Sequence, residues 1–437
     1  MPMPLISHAV SNGLSSFPYI YPAIKTVSAI ATISLLKRYF GGAINKSNRV
    51  MHSKVVMITG GTSGIGASIV HDLASRGAQI IILTQHPPTD PFLVDYIEDV
   101  RASTNNELIY AEQVDLSSLH SIRRFATKWV DNAPPRRLDI VILCGNTMTP
   151  PSSLESRKSV DGLNEEWQVN YLANFHLLSI LSPALRAQPQ DRDIRVIFAT
   201  CSSYIGAELD FETLDMRTSE KRQNSNPKRQ HDHKAGEKIS NSSIGIYATS
   251  KLALMIFARS FQAHLANYDN IKQPKKLRAC NSRVLVVDPG FSRTPGTRRW
   301  LSRGSLLGLL IYIITWPIWW LLLKSPQQGA QSFLSAAMEP TLSAVGETEE
   351  DKKRRTLGIA GGCLIKECKE RMVLRNEIMN DAIAEKLWKF SQEQIQAAEK
   401  ESALRRAAEK NKEKGDQMEE KKDESDKKVL SKGKIQN

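Results

Sequence analysis

Tyr247 and Lys251 are the residues whose types and spacing point to a reaction. They stand in Tyr247-Ala-Thr-Ser-Lys251, at the head of a helical apolar pattern that runs to Leu265. A spacing of four puts both side chains on one helix face. A phenol titrates near about 10 and is a poor acid or base at neutral pH. An ammonium beside it favours the phenolate and draws that value toward neutrality. Transfer of hydride to a carbonyl needs such a pair: Tyr247 gives the oxygen its proton as hydride reaches the carbon, and Lys251 tunes the phenol and hydrogen-bonds the ribose of the hydride carrier. The spacing is common by itself, and its plain reading is two neighbours on a surface helix. It gains meaning only beside a seat for the carrier.

That seat lies upstream, in Lys54-Val-Val-Met-Ile-Thr-Gly-Gly-Thr-Ser-Gly-Ile-Gly66. Val55 to Ile58 reads as a buried strand, a glycine turn follows, and Ala67 to Gly77 carries apolar residues at helical spacing with a glycine stop. The backbone must pass close to a pyrophosphate, so Gly60, Gly64 and Gly66 cannot carry a bulky Cβ. The helix start supplies N–H donors and a positive dipole end. The strand-to-helix context makes dinucleotide binding the reading; a tight turn that binds nothing is the bland alternative.

The elements that must position these groups alternate along the chain. Apolar strands are expected at Gln79–Leu83, Leu108–Gln113, Leu138–Leu143, Arg195–Thr200 and Arg283–Val287, with helices at Ser117–Val130, Glu165–Leu181 and Tyr247–Leu265. Such alternation predicts an α/β fold, a doubly wound, Rossmann-like parallel sheet covered on both faces, with ligands at the carboxyl ends of the strands. At 437 residues the chain is long for one such domain. We divide it into 1–53, a hydrophobic anchor and basic linker; 54–395, the catalytic domain; and 396–437, a charged tail that is partly helical, then disordered.

The formal net charge is +13. Nucleic acid is set aside because no nucleic-acid module is found, and an anionic membrane surface is preferred. Phe17 to Leu36 is apolar apart from Lys25 and is followed by Lys37, Arg38, Lys46 and Arg49, which reads as a signal anchor or as an interfacial helix. Ser305 to Leu323 carries no charge, holds Pro317 and three Trp, and has Arg298, Arg299 and Arg303 before it and Lys324 after it. We read it as a monotopic segment dipping into one leaflet at the substrate mouth rather than a span or a buried core helix. Residues 216–243 read as a flexible basic insert; His231 and His233 are solvated there rather than metal ligands. Five scattered Cys (144, 201, 280, 363 and 368) argue for a reducing compartment, and Cys363 and Cys368 for free thiols rather than zinc. No metal is expected.

Thr59-Gly-Gly-Thr-Ser-Gly-Ile-Gly66 resembles the cofactor motif of the short-chain dehydrogenase/reductase family, and most of residues 54–395, without the insert at 216–243, resembles its membrane-associated, retinol-dehydrogenase-like branch. The resemblance implies that Gly60, Thr62, Ser63, Gly64, Ile65 and Gly66 hold the cofactor's phosphates. It implies that Asp115 and Leu116 meet the adenine, and that Gly145 lets the cofactor approach. Pro289, Gly290 and Thr294 match the loop that covers the nicotinamide. Asn170, in Gln168-Val-Asn-Tyr-Leu, matches a catalytic Asn that holds a relay water for Lys251. A Ser after the fifth strand orients the substrate carbonyl in the family; here Cys201-Ser-Ser203 occupies the neighbourhood, and Ser202 is taken, with Ser203 and Cys201 as rivals. Leu143-Cys-Gly-Asn146 stands where the family shows Asn-Asn-Ala-Gly, so the pocket floor should differ.

The second strand ends Leu83-Thr-Gln-His86, without an acid to hold a ribose 2′-hydroxyl and without an Arg for a 2′-phosphate; NADP is preferred over NAD. The expectation is an NADP(H)-dependent oxidoreductase for a carbonyl or hydroxyl of a lipophilic small molecule. It would work at the cytosolic face of a membrane, endoplasmic reticulum or lipid droplet, with a homodimer admitted. The rival is a catalytically weak, membrane-bound nucleotide-binding scaffold.

Overall fold

The computed structural model describes residues 20–150, 157–189, 191–218, 243–272, 282–342 and 363–433. Most of the basic insert, with His231 and His233, lies outside them. Helix α1 (Ile20–Gly41) precedes the alternating part: β1 (Val55–Thr59), α2 (Gly64–Ser75), β2 (Gln79–Thr84), α3 (Pro91–Thr104), β3 (Ile109–Gln113), α4 (Leu119–Val130) and β4 (Ile140–Leu143). Then come α5 (Glu165–Trp167), a π-helical turn (Gln168–Leu172), α6 (Ala173–Arg186), β5 (Ile194–Ala199), a 3-10 turn (Ser202–Gly206), α7 (Phe211–Thr218), α8 (Ser243–Lys272) and β6 (Ser282–Asp288). The chain closes with α9 (Pro295–Leu301), α10 (Leu306–Ile314), α11 (Trp316–Leu322), α12 (Pro326–Met338), β7 (Cys363–Lys366), β8 (Lys369–Arg371) and α13 (Asp381–Gly433).

The strands form one sheet in the order β3-β2-β1-β4-β5-β6-β7-β8, parallel up to β7, with β8 antiparallel at the edge. Alternation within each strand sends side chains to opposite faces. Val55 and Met57 of β1 enter a core shared with α4, α6, α8 and α13; Val56 and Ile58 enter a second core shared with α2 and α12. Every residue of β1, β4 and β6 is buried, as a sheet covered on both faces requires. The order of strands reverses between β1 and β4, which pair from Val56–Ile140 to Thr59–Leu143. Their carboxyl ends therefore open a crevice at the switch point, and the glycine turn leads out of it into α2.

Three features go beyond the sequence reading. The strands β7 and β8 were not foreseen: they are four and three residues long, too short to show a period. The tail continues as one helix to Gly433 where disorder was expected, and its near part belongs to the domain. Trp167 Nε1 donates to Gln394 at 2.9 Å and Arg123 binds Glu399 at 2.5 and 2.7 Å. Those two contacts straddle residue 395. Finally, 305–323, with Pro317 inside it, is not one rod. It breaks at Thr315 into helices of nine and seven residues, each too short at 1.5 Å per residue for a hydrocarbon core of about 30 Å. Among the described residues no helix is long and apolar enough to cross a membrane, so the spanning readings of 305–323 and of the N-terminal segment have no helix to carry them.

Candidate active site

The glycine turn builds the floor of the crevice. Gly60 has φ +67° and Gly64 φ +56°, a region an L side chain enters only with strain. At Gly66 a Cβ would come 2.0 Å from the Gly60 carbonyl oxygen, and at Gly60 one would come 2.9 Å from the Gly145 nitrogen. Two stretches of backbone thus close on each other with no room for side chains. Ser63 stands at the N-cap of α2 and makes no side-chain cap bond, so its hydroxyl leaves the leading N–H groups of that helix uncapped. A turn stripped of Cβ atoms, followed by an uncapped helix start, fits a pyrophosphate.

Leu116 lies against Gly145, its Cδ1 2.6 Å from where a Cβ would sit. Asp115 accepts from the backbone and hydroxyl of Ser117, both at 2.8 Å. Thr294 faces Gly64 across the crevice, 3.3 Å from the corresponding Cβ position. It also caps α9 through Thr297 N at 3.2 Å. Gly290, at φ +75°, follows Pro289 in the loop above. Gly60, Gly64, Leu116, Gly145 and Thr294 therefore come together at one mouth. Where the family's strand-tying Asn is missing, Thr59 does the tying: its Oγ1 accepts from Gly145 N at 3.0 Å. Tyr96 was not anticipated. Its hydroxyl donates to the Gly61 carbonyl at 2.8 Å, and burial, with Asp99 nearby, pushes the phenol up to about 12. Only its place on an amphipathic helix marked it in the sequence.

Tyr247 and Lys251 share a face of α8, as their spacing required. Lys251 is 2 % exposed. Its Nζ lies 5.5 Å from the centre of the Tyr247 ring and donates to the Ala199 carbonyl at 3.2 Å. The ammonium is therefore beside the ring and not at the hydroxyl. The Tyr247 hydroxyl has two other neighbours: Cys201 Sγ at 3.5 Å and Asn146 Nδ2, which donates to it at 3.4 Å. The expected depression of the phenol is reversed. Burial is the chief reason Tyr247 is pushed well above its ordinary value, and the Cys201 thiol adds to it. Burial also pulls the Lys251 ammonium down.

The chain matches the short chain dehydrogenase family model over residues 54–206. It is 37% identical over 407 residues to an uncharacterized oxidoreductase of Schizosaccharomyces pombe, with 92% of this chain and 97% of that protein covered. The chain belongs to the short-chain dehydrogenase/reductase family. Human polyprenol dehydrogenase is 29% identical over 324 residues, covering 73% of this chain and 83% of that one. Mouse retinol dehydrogenase 13 is 27% identical over 324 residues, covering 74% and 83%. A solved structure of an uncharacterized protein from Mycobacterium paratuberculosis superposes with a TM-score of 0.50 at 20% identity, covering 81% of this chain and 98% of that one; it speaks to the fold alone. Family membership makes the chain an oxidoreductase built for a nicotinamide dinucleotide.

Two residues of the family pattern fall differently from the expectation. Ser202 turns away from Tyr247: its hydroxyl donates to Asp288 Oδ2 at 2.7 Å and accepts from Lys366 Nζ at 2.8 Å. The preceding residue fills the place beside the phenol, so the thiol of Cys201, itself 2.9 Å from Ser203 Oγ, stands where a hydroxyl was expected. Cys201 stands in extended backbone just before the 3-10 turn that begins at Ser202, where successive side chains leave the chain on opposite sides. Asn170 is fully buried in the π-helical turn. Its side chain accepts from Thr147 N at 2.8 Å and donates to Thr147 O at 2.9 Å, which pins the loop bearing Asn146. The Asn170 carbonyl already accepts from Asn174 Nδ2 at 2.9 Å. One turn earlier, Glu166 Oε1 takes the N–H of Thr149, so two side chains of one helix hold that loop. Burial raises the Glu166 carboxyl to about 7.

Cys144 and Cys368 are free thiols, and burial pushes Cys144 up to about 12. Among the described residues no cluster of His, Cys, Asp and Glu could hold a metal ion.

Proposed function

We propose that the protein is an NADP(H)-dependent oxidoreductase that interconverts a carbonyl and a hydroxyl on a lipophilic molecule at a membrane face. The observation that carries this is the Tyr247 hydroxyl, set beside Cys201 and Asn146, with Lys251 behind its ring. Bound in the glycine-lined crevice, the cofactor supplies or accepts hydride at its nicotinamide. Tyr247 gives its proton to the substrate oxygen in reduction and takes it back in oxidation. A phenol held protonated by burial is the form that reduction needs. The Asn146 amide and the Cys201 thiol flank the place of that oxygen, the thiol as the weaker donor. Asn170 keeps Asn146 in position through Thr147, and Lys251 orients the ribose.

The second strand supports NADP by what it lacks: Gln85 and His86 follow Thr84 with no carboxylate to hold a ribose 2′-hydroxyl. The names of the retinol and polyprenol dehydrogenases support a long apolar substrate, and so does the exposed apolar surface of α10, where Leu306 is 88% and Ile314 70% accessible. The test is turnover of NADPH with lipid-soluble aldehydes and ketones. Tyr247→Phe should lower the rate by about 10²- to 10⁴-fold, the range for losing a general acid, while NADPH binding persists. Unchanged turnover in Tyr247→Phe and in Lys251→Ala refutes the mechanism. The thiol in place of a hydroxyl favours a second reading, a nucleotide-binding scaffold with little turnover; a cellular role that survives Tyr247→Phe would establish it.

A further inference from the structure

The two apolar segments form one body. Lys37, near the end of α1, donates its ammonium to the carbonyls of Trp320 at 2.6 Å and Leu323 at 3.1 Å and lies 5.1 Å from the Trp320 ring centre. It thereby closes the open carbonyl end of α11. Outward, both segments are greasy: Val27 and Ile30 are 65% and 67% accessible, as exposed as their counterparts on α10. No acidic residue occurs before Asp72, and none between Asp288 and Glu339. Arg38, Arg298, Arg299 and Arg303 are exposed at the borders of the apolar faces. A second copy of the chain would bring like charges together here, whereas anionic lipid headgroups complement them.

The same body is fastened to the loop over the nicotinamide. Lys324 follows α11 and pairs with the loop backbone: its N–H donates to Phe291 O at 3.0 Å, and Arg293 N donates to its carbonyl at 2.9 Å. Its ammonium reaches the Pro289 carbonyl at 3.4 Å and forms an ion pair with Glu367. The other oxygen of Glu367 accepts from Ala43 N at 2.7 Å, two residues beyond α1. Glu367 sits at the tip of the β7–β8 hairpin at φ +55°. Its neighbour Lys366 grips the start of the loop, 3.0 Å from Asp288 Oδ2, and Asp288 Oδ1 in turn accepts from Gly290 N at 2.9 Å. One carboxylate thus joins α1, the end of α11 and the nicotinamide loop.

We propose that the apolar faces of α1 and α10–α11 dock together on an anionic bilayer, and that Glu367 passes this docking to the 288–294 loop so that the enzyme grips its cofactor more tightly when membrane-bound. This rests on the membrane reading above and adds the coupling. In this proposal the loop exchanges between arrangements open and closed over the nicotinamide, and docking biases the closed one.

The experiment uses the full-length protein and vesicles of phosphatidylcholine alone or mixed with phosphatidylserine. Flotation measures docking, and NADPH fluorescence titration measures affinity with and without vesicles. Flotation should need phosphatidylserine, and vesicles should tighten NADPH binding by about tenfold, within the usual span of coupling between sites. Glu367→Gln should still float and lose the tightening; Lys324→Met cuts the same ion pair from the other side and should behave alike. Flotation of the unaltered protein with unchanged NADPH affinity overturns the coupling and leaves the membrane reading standing. A tightening that survives both substitutions overturns the route through Glu367. Equal flotation on both vesicles overturns the charge argument. Failure to float on either, with or without self-association through this face, overturns the membrane reading and the proposal with it.

Discussion

Glu166 offers a measurement that needs no substrate. It is 2% exposed, one oxygen accepts from Thr149 N, and the other has no partner among the described residues. Burial raises its carboxyl from an ordinary 4.5 to about 7, against the opposing bond from Thr149 and with a small push from Glu165. The native protein therefore keeps this proton over a window in which the unfolded chain has released it. Stability contributed here is full below about pH 4.5 and is lost as pH rises through about 7, and the linked free energy is about 3 kcal/mol. Glu166→Gln keeps an acceptor for Thr149 N and removes the titration. Urea unfolding followed by far-ultraviolet circular dichroism at pH 5 and pH 8 should show the unaltered protein losing about 2.5 kcal/mol more than the variant across that interval. Taking the difference between the two proteins cancels carboxylates that titrate alike in both. Parallel pH profiles would refute the reasoning, because they would mean that Glu166 reaches water or shares its charge with a partner.

At the glycine turn, Gly66→Ala places a methyl group 2.0 Å from the Gly60 carbonyl; backbone cannot yield as a side chain tip does, so a cost of about 3 kcal/mol, roughly a hundredfold in NADPH affinity, is expected by titration calorimetry. Cys201→Ser gives the Tyr247 hydroxyl a stronger neighbouring donor and should raise carbonyl turnover by about 3- to 10-fold, the worth of one net hydrogen bond, whereas Cys201→Ala should lower it; equal loss in both would show that the thiol itself is required. Because Tyr247 is pushed upward, alcohol oxidation, which needs the phenolate, should climb with pH through the alkaline range while reduction stays flat near neutrality; a pH–rate profile for oxidation that levels off below pH 8 would contradict this.

The parts of the site that follow from backbone geometry were legible in the sequence. A turn without Cβ atoms between a buried strand and an amphipathic helix has few alternatives, and Gly60, Gly64 and Gly66 lie at the switch point as predicted. A four-residue spacing on a helix likewise fixed Tyr247 and Lys251 to one face. Everything decided by side-chain direction in irregular backbone was harder to read. Cys201 and Ser202 differ by one residue, and the point at which extended backbone gives way to the 3-10 turn decides which meets the phenol and which meets Asp288. Local spacing could not tell whether Lys251 would reach the hydroxyl or pass beside the ring, because that depends on the Ala199 carbonyl at the end of a distant strand.

Long-range contacts account for the other omissions, and they share a physical cause. The strands β7 and β8 are too short to show a period, and the tip between them matters through ion pairs with residues far away in sequence: Lys366 with Asp288, and Glu367 with Lys324. The apolar stretch at 305–323 was recognisable by composition, and its break at Thr315 falls just before Pro317, which cannot continue a helix; its clamp by Lys37 arises from packing against a helix almost three hundred residues earlier. Hydropathy identifies a segment that avoids water without saying what will cover it. Here the short arms, their shared basic border and their attachment to the loop above the crevice all favour a surface that rests on lipid. Entry of an apolar substrate and closure over the nicotinamide would then occur at neighbouring points of one element. A mechanism confined to Tyr247 and Lys251 would not require the Lys324–Glu367 pair at all, and for that reason its removal separates an enzyme that merely sits at a membrane from one that is set by it.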